Sequence, residues 1–197
     1  MEKGNKKQMA KFVNVSKDSK GCKLLGIEGY FAAPAESSGE LSNLCRLVLR
    51  ANDTTKPEAL KLTANIPIAE MPSILELSRI ALNDFPTAKS QKFTILEGVA
   101  KPKVSDKNEE GTLVYSVEIL YDSSRIYPVT INVKNFRADV SSKSGGRLAY
   151  SAPKGKIQQI SYFVKIRDFY NAFVHIDDLY KAWCAKTAID NSFNGSI

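Results

Sequence analysis

Hydrophobic and polar positions alternate strictly over Leu113–Tyr121, where Leu113, Tyr115, Val117, Ile119 and Tyr121 share one face and Ser116, Glu118 and Asp122 the other. Period two is the signature of a half-buried strand. The same reading applies to Arg125–Phe136, with Tyr127, Val129, Ile131 and Val133 on one side and Thr130, Asn132 and Lys134 on the other. Asp122-Ser-Ser between them predicts a tight hairpin. Pro128 cannot donate to a ladder, which places this second strand at an edge or at a bulge. Further strands are predicted at Gln91–Val99, Lys156–Ile166 and Asn43–Ala51, and a weaker one at Lys23–Phe31, interrupted by Gly26 and Gly29.

Helices are separable by their start signals. Thr55-Lys-Pro-Glu58 and Ser73-Ile-Leu-Glu76 fit the capping-box pattern and predict helices over 56–64 and 73–83, the second stopped by Pro86. A C-terminal amphipathic helix starts at Asp177 and Asp178, with Ile176, Leu179, Tyr180, Trp183 and Thr187 recurring at spacings of three and four, after a short helical turn through Arg167–Val174. Lys101–Gly111 reads as a long polar hairpin loop. The sum is an α+β fold: a mainly antiparallel sheet of five or six strands with two or three helices on one face. Residues 21–197 form a single domain and residues 1–20 a basic arm, either lying against the same ligand as the domain or disordered.

Composition narrows the class. At 197 residues and 43% hydrophobic content the chain can bury a real core without staples. Cys22, Cys45 and Cys184 are odd in number and widely spaced, so neither a disulfide framework nor a zinc site is readable. The polar Met1–Gln8 is not followed by the apolar run of a secretory signal, and no segment approaches the roughly 20 apolar residues of a membrane span. The expectation is a cytoplasmic protein with no membrane, metal or cofactor partner.

No phosphate-loop, dinucleotide, nucleophile-elbow or zinc-protease motif occurs. Gly145-Gly-Arg lacks the helix that would aim amides at a phosphate. His175 is the only histidine, with no readable partner, and is expected to cap a helix start or be partly buried. No catalytic residue is assigned, and the chain reads as non-enzymatic. A hydrolase or transferase whose carboxylates meet only in space is the distant alternative.

Charge supplies the sharpest feature. The net formal charge is +7, and Lys134–Arg167 alone carries eight cations against the single acid Asp139. Residues 1–20 add six lysines against Glu2 and Asp18, which leaves the remaining chain at −4. Single-stranded nucleic acid is held by cations tracking its backbone and aromatic faces stacking on its bases. Lys134, Arg137, Lys143, Arg147, Lys154, Lys156, Lys165 and Arg167 are the candidate phosphate contacts, with Tyr150 as the stacking candidate. If Phe136–Val140 and Lys156–Ile160 pair as hairpin arms, these cations gather at one end and one edge of the sheet. The expected role is therefore nucleic-acid binding, single strands favoured, through a basic hairpin loop and its strand arms. Against it stand a bland solvated hairpin tip with Tyr150 folded back on the sheet, and a second functional class. The latter is a regulator or inhibitor docking on an acidic or nucleic-acid-handling protein, such as a phage or mobile-element accessory factor.

Overall fold

The computed structural model describes residues 8–9, 13–17, 23–31, 45–55, 59–83, 91–142 and 148–194. Two antiparallel sheets and two helices share one core. The first sheet contains β1 (Gln8–Met9), β2 (Val13–Lys17), β3 (Lys23–Phe31), β4 (Arg46–Asp53) and β5 (Leu60–Pro67), with β1 and β2 both paired to β3 and the order β3-β4-β5 beyond it. A helix α1 (Met71–Asn83) follows. The second sheet is built from β6 (Lys92–Asn108), β7 (Gly111–Asp122), β8 (Val129–Ala138) and β11 (Lys154–Val164), in the order β11-β8-β7-β6. Between its last two strands a short ribbon pairs β9 (Val140–Ser142) with β10 (Leu148–Tyr150), and α2 (Ile166–Asn194) closes the described chain.

The α+β class and the antiparallel pairing agree with the sequence pattern, but the strands divide between two sheets. The reason is visible in the alternation. Leu25, Ile27, Leu47, Leu49, Ala51, Leu62, Ala64 and Ile66 cover one face of the first sheet, and Val117, Ile119, Tyr121, Val129, Ile131, Val133, Ile160, Tyr162 and Val164 one face of the second; all are buried in the same cluster. Each face buries the other, so neither needs a full helical layer. The Tyr162 hydroxyl ties the two sheets, lying 2.8 Å from the Leu24 carbonyl and 3.0 Å from that of Asn52, which are cross-strand neighbours in β3 and β4.

Helices fill the rest. Met71, Ile74, Ser78 and Ala81 form the buried stripe of α1, and Phe169, Ala172, Phe173 and Ile176 that of α2. Phe31 of β3 meets Tyr180 and Trp183 at ring separations of 5.3 and 5.9 Å, which fastens the middle of α2 to the first sheet.

Five sequence expectations are corrected. Residues 60–67 are the strand β5 and not a helix, because Leu62, Ala64 and Ile66 are buried while Lys61, Thr63 and Asn65 alternate with them. Thr55 is no helix cap: its N–H and hydroxyl donate to Asp53 Oδ1 at 3.0 and 2.5 Å, an Asx turn that ends β4. Lys101–Asn108 continues β6, with register irregularities, and the reversal shrinks to Asn108–Gly111, where Gly111 adopts a φ of 109°. Pro128 precedes an interior strand: β8 lies between β11 and β7, and the Pro128 carbonyl accepts from Asp122 N–H at 2.8 Å. The C-terminal helix starts at Ile166, so its stripe runs from Phe169 through Trp183 and His175 sits exposed in mid-helix, capping nothing. The predicted helix over 73–83 is present as α1, entered two residues earlier through a single 3-10 turn, Ile68–Glu70. Within residues 1–20, β1 and β2 pair with β3.

Candidate functional site

The apolar inner face of the second sheet ends abruptly. Cross-strand partners run Val117 to Val133 to Ile160 at the last core row. One row outward, Lys101, Tyr115, Asn135 and Gln158 are in register, and the next aligns Lys103, Leu113, Arg137 and Lys154. Partners in an antiparallel ladder share a face, and strands stand about 4.8 Å apart, so the second row places Lys103, Arg137 and Lys154 along roughly 14 Å. β5, the edge strand of the first sheet, adds Lys61, Thr63 and Asn65. With Lys101, Lys103, Tyr115 and Asn135 these side chains line an open groove of about 440 Å³.

Electrostatics in the groove are positive but partly compensated. Arg137 lies 3.6 Å from the Glu110 carboxylate and donates to the Gly111 carbonyl at 2.9 Å. Lys154 pairs with Asp139 at 2.7 Å. Both carboxylates are exposed, so these pairs are solvent-screened and open to exchange with another anion. Asn135 differs from its neighbours. It is 9% exposed, and its Oδ1 has no hydrogen-bond partner.

The sequence-predicted residues are dispersed. Lys143 and Arg147 lie outside the described residues. Lys134 projects from the opposite, outer face, 3.4 Å from Glu118, in a polar network in which Asn132 Nδ2 also donates to Glu118 and Ser161 Oγ donates to Asn132 Oδ1. Tyr150 folds back, its hydroxyl donating to the Ala100 carbonyl at 3.0 Å; desolvation there raises its pKa above the ordinary tyrosine value. The ring is half-buried, and its hydroxyl serves as a structural contact. Lys156 is exposed near the start of β11, whereas Lys165 and Arg167 are exposed beyond its far end, roughly 30 Å away along an 11-residue strand.

The predicted arms Phe136–Val140 and Lys156–Ile160 do not pair with each other: Gln158, Gln159 and Ile160 lie opposite Asn135, Lys134 and Val133, while Arg137 lies opposite Lys154 and Val140 opposite Tyr150. β11 is an edge strand and carries Lys154 and Lys156, whereas Lys134 and Arg137 lie on the interior strand β8, so the predicted cations share neither one edge nor one end. Among the described residues, Arg137 and Lys154 are the predicted cations that reach the rows beside the groove. Lys61, Lys101 and Lys103 were missed because their segments read as a helix and a long hairpin loop. Alternation of Lys101 and Lys103 about Pro102 was the available signal.

A second concavity lies at the other end of this sheet, lined by Lys92, Phe93, Leu120, Tyr121, Asp122 and Arg125. There Asp122 is held down to about 2, first by the Ser124 hydroxyl that donates to it, then by the Ser124 amide and Lys92. Its bonds close the β7–β8 turn. Among the described residues no group of three or more His, Cys, Asp or Glu side chains is placed to hold a metal, and no helix is long and apolar enough to cross a membrane. No family model, curated protein or solved structure matches the chain.

Proposed function

We propose that the protein binds nucleic acid through phosphate contacts along the inner rows of the second sheet. The observation that carries this reading is the groove in which Lys61 of the first sheet meets Lys101 and Lys103 of the second, with Arg137 and Lys154 continuing the Lys103 row across β8 and β11. A merely soluble surface has interspersed signs; Glu110 and Asp139 do stand beside Arg137 and Lys154, but the described residues that line the groove include three lysines and no carboxylate. Lys103 and Arg137 stand two strands apart, about 10 Å, and Arg137 and Lys154 one strand apart, about 5 Å, so the row offers contacts to several phosphates of one strand. The exposed Lys156 extends the track along the β11 edge.

Binding of a fluorescent 12-mer, single- or double-stranded, measured across a salt series tests the proposal. Log affinity falls linearly with log salt, and replacing Lys101, Lys103 and Lys154 together by Ala flattens the slope by about two to three. Absence of binding at about 50 mM salt with micromolar protein refutes it and favours the protein-docking regulator.

A further inference from the structure

Asn135 stands out in the groove because its chemistry is wrong for a core and unused by the fold. It belongs to the row Lys101, Tyr115, Asn135, Gln158, one step beyond Val133. It is nine-tenths buried, yet Oδ1 has no partner. A buried acceptor left unmatched is destabilising, and a hydrophobic residue of similar shape would remove the penalty. Such a group is therefore a candidate to be completed by something that enters the groove.

Charge and shape indicate what enters. Lysines supply ammonium groups for phosphate, and none of them needs a carboxamide. Tyr115, directly beside Asn135 in the row and half-exposed, offers a ring face. Thr63 and Asn65 line the wall formed by β5. A ring beside a carboxamide, with cations at the rim, suits a nucleobase whose phosphates lie outside. Oδ1 itself is buried, so a base is met when the carboxamide turns about its terminal bond to bring its oxygen and amino group side by side to one base edge. Adenine matches it best, with the N6 amino group donating to Oδ1 and N7 accepting from Nδ2.

We infer that the groove is a base-reading subsite, in which Asn135 and Tyr115 take one unpaired purine, adenine preferred, while Lys61, Lys101 and Lys103 hold the flanking phosphates. This rests on the nucleic-acid reading above and adds to it a requirement for an exposed base. In a duplex the base edges lie within grooves, and the pocket walls of β5 and β6 keep them from Asn135. The subsite therefore selects single strands.

The test uses the full chain and four 12-mers of equal charge: oligo-dA, oligo-dT, an abasic 12-mer and a dA·dT duplex. Expected for the native protein is an affinity for oligo-dA about tenfold above that for the abasic strand, with a smaller gain for oligo-dT. Asn135→Leu should collapse the dA-to-dT ratio to about one while leaving the salt slope unchanged, and Tyr115→Leu should lower dA and dT together toward the abasic value. Thermal unfolding of Asn135→Leu should show an unchanged or raised midpoint, which separates lost recognition from lost folding. Equal binding of oligo-dA and abasic strands overturns the subsite and leaves phosphate binding standing. A dA-to-dT ratio retained in a folded Asn135→Leu overturns the role of Asn135. No binding of any 12-mer overturns the nucleic-acid reading itself.

Discussion

Replacing Tyr162 by Phe removes one oxygen and tests whether the two sheets fold as one unit. Tyr162 is 3% exposed, its ring lies in the common core, and its hydroxyl sits 2.8 and 3.0 Å from the carbonyls of Leu24 and Asn52. The ring stays in Phe, so the apolar burial and its contribution are retained. What is lost is one hydrogen bond, worth about 0.5–1.5 kcal/mol net, together with the cost of leaving carbonyls in a dry interior less well satisfied, about 1–3 kcal/mol. A destabilisation of about 2 kcal/mol follows, which for a chain of this length lowers the thermal midpoint by about 4–8 °C. The assay is urea unfolding followed by two probes. Trp183, the single tryptophan, packs near Phe31 of the first sheet and reports the helix–sheet face, while far-UV circular dichroism reports all strands. Both midpoints should fall together with an unchanged urea dependence. A shift below about 0.3 kcal/mol refutes the bridge as an energetic link. Separation of the two midpoints refutes the single cooperative core.

Gly111→Ala should cost more than Gly155→Ala, although both glycines have positive φ. A Cβ on Gly111 would stand 2.8 Å from the backbone oxygen of Ala138, whereas one on Gly155 meets nothing within 4 Å. Left-handed strain alone accounts for about 1–2 kcal/mol, the value expected at Gly155, and urea unfolding of Gly111→Ala should show at least about 1 kcal/mol more. Asp122 controls acid stability at the β7–β8 turn. Its carboxyl is depressed from 3.8 to about 2 in the folded state, so the stability it contributes is present above pH 4 and disappears as the pH falls from about 4 to about 2. Asp122→Asn should flatten the urea midpoint in that window only, with equal slopes above pH 5. An unchanged acid profile would assign the acid sensitivity elsewhere.

How far the chain could be read in advance depended on which distance carried the information. Leu113–Tyr121 and Val129–Val133 were readable as strands because burial on one face imposes period two locally. Tyr150 was readable as an aromatic near cations, either stacking on a base or folded back on the sheet, with nothing local to choose between them. Its engagement with Ala100, fifty residues away, depends on a fold-back that no local pattern encodes. The segment Leu60–Pro67 misled for the opposite reason: Leu, Lys and Ala favour helices, and the alternating burial that overrides them comes from β4 and the core beneath. Lys101 and Lys103 looked like the start of a long hairpin loop because the segment to Gly111 is polar and contains Pro102, yet an edge strand tolerates a proline.

By itself the sequence determined the α+β class, most strand positions, the α1 segment and the concentration of positive charge around the β8–β11 hairpin. Those properties follow from side-chain periodicity and composition, which act over a few residues. Tertiary structure alone decided that the strands form two sheets, that three of the basic hairpin's cations are matched by Glu118, Glu110 and Asp139, and that Lys61, Lys101, Lys103 and Asn135 share a groove. In that groove, cross-strand register and sheet packing bring together residues as far as 74 positions apart, Lys61 and Asn135. Such meetings are set by the closure of the whole core, so a local reading of charge located the basic region but not the surface it forms.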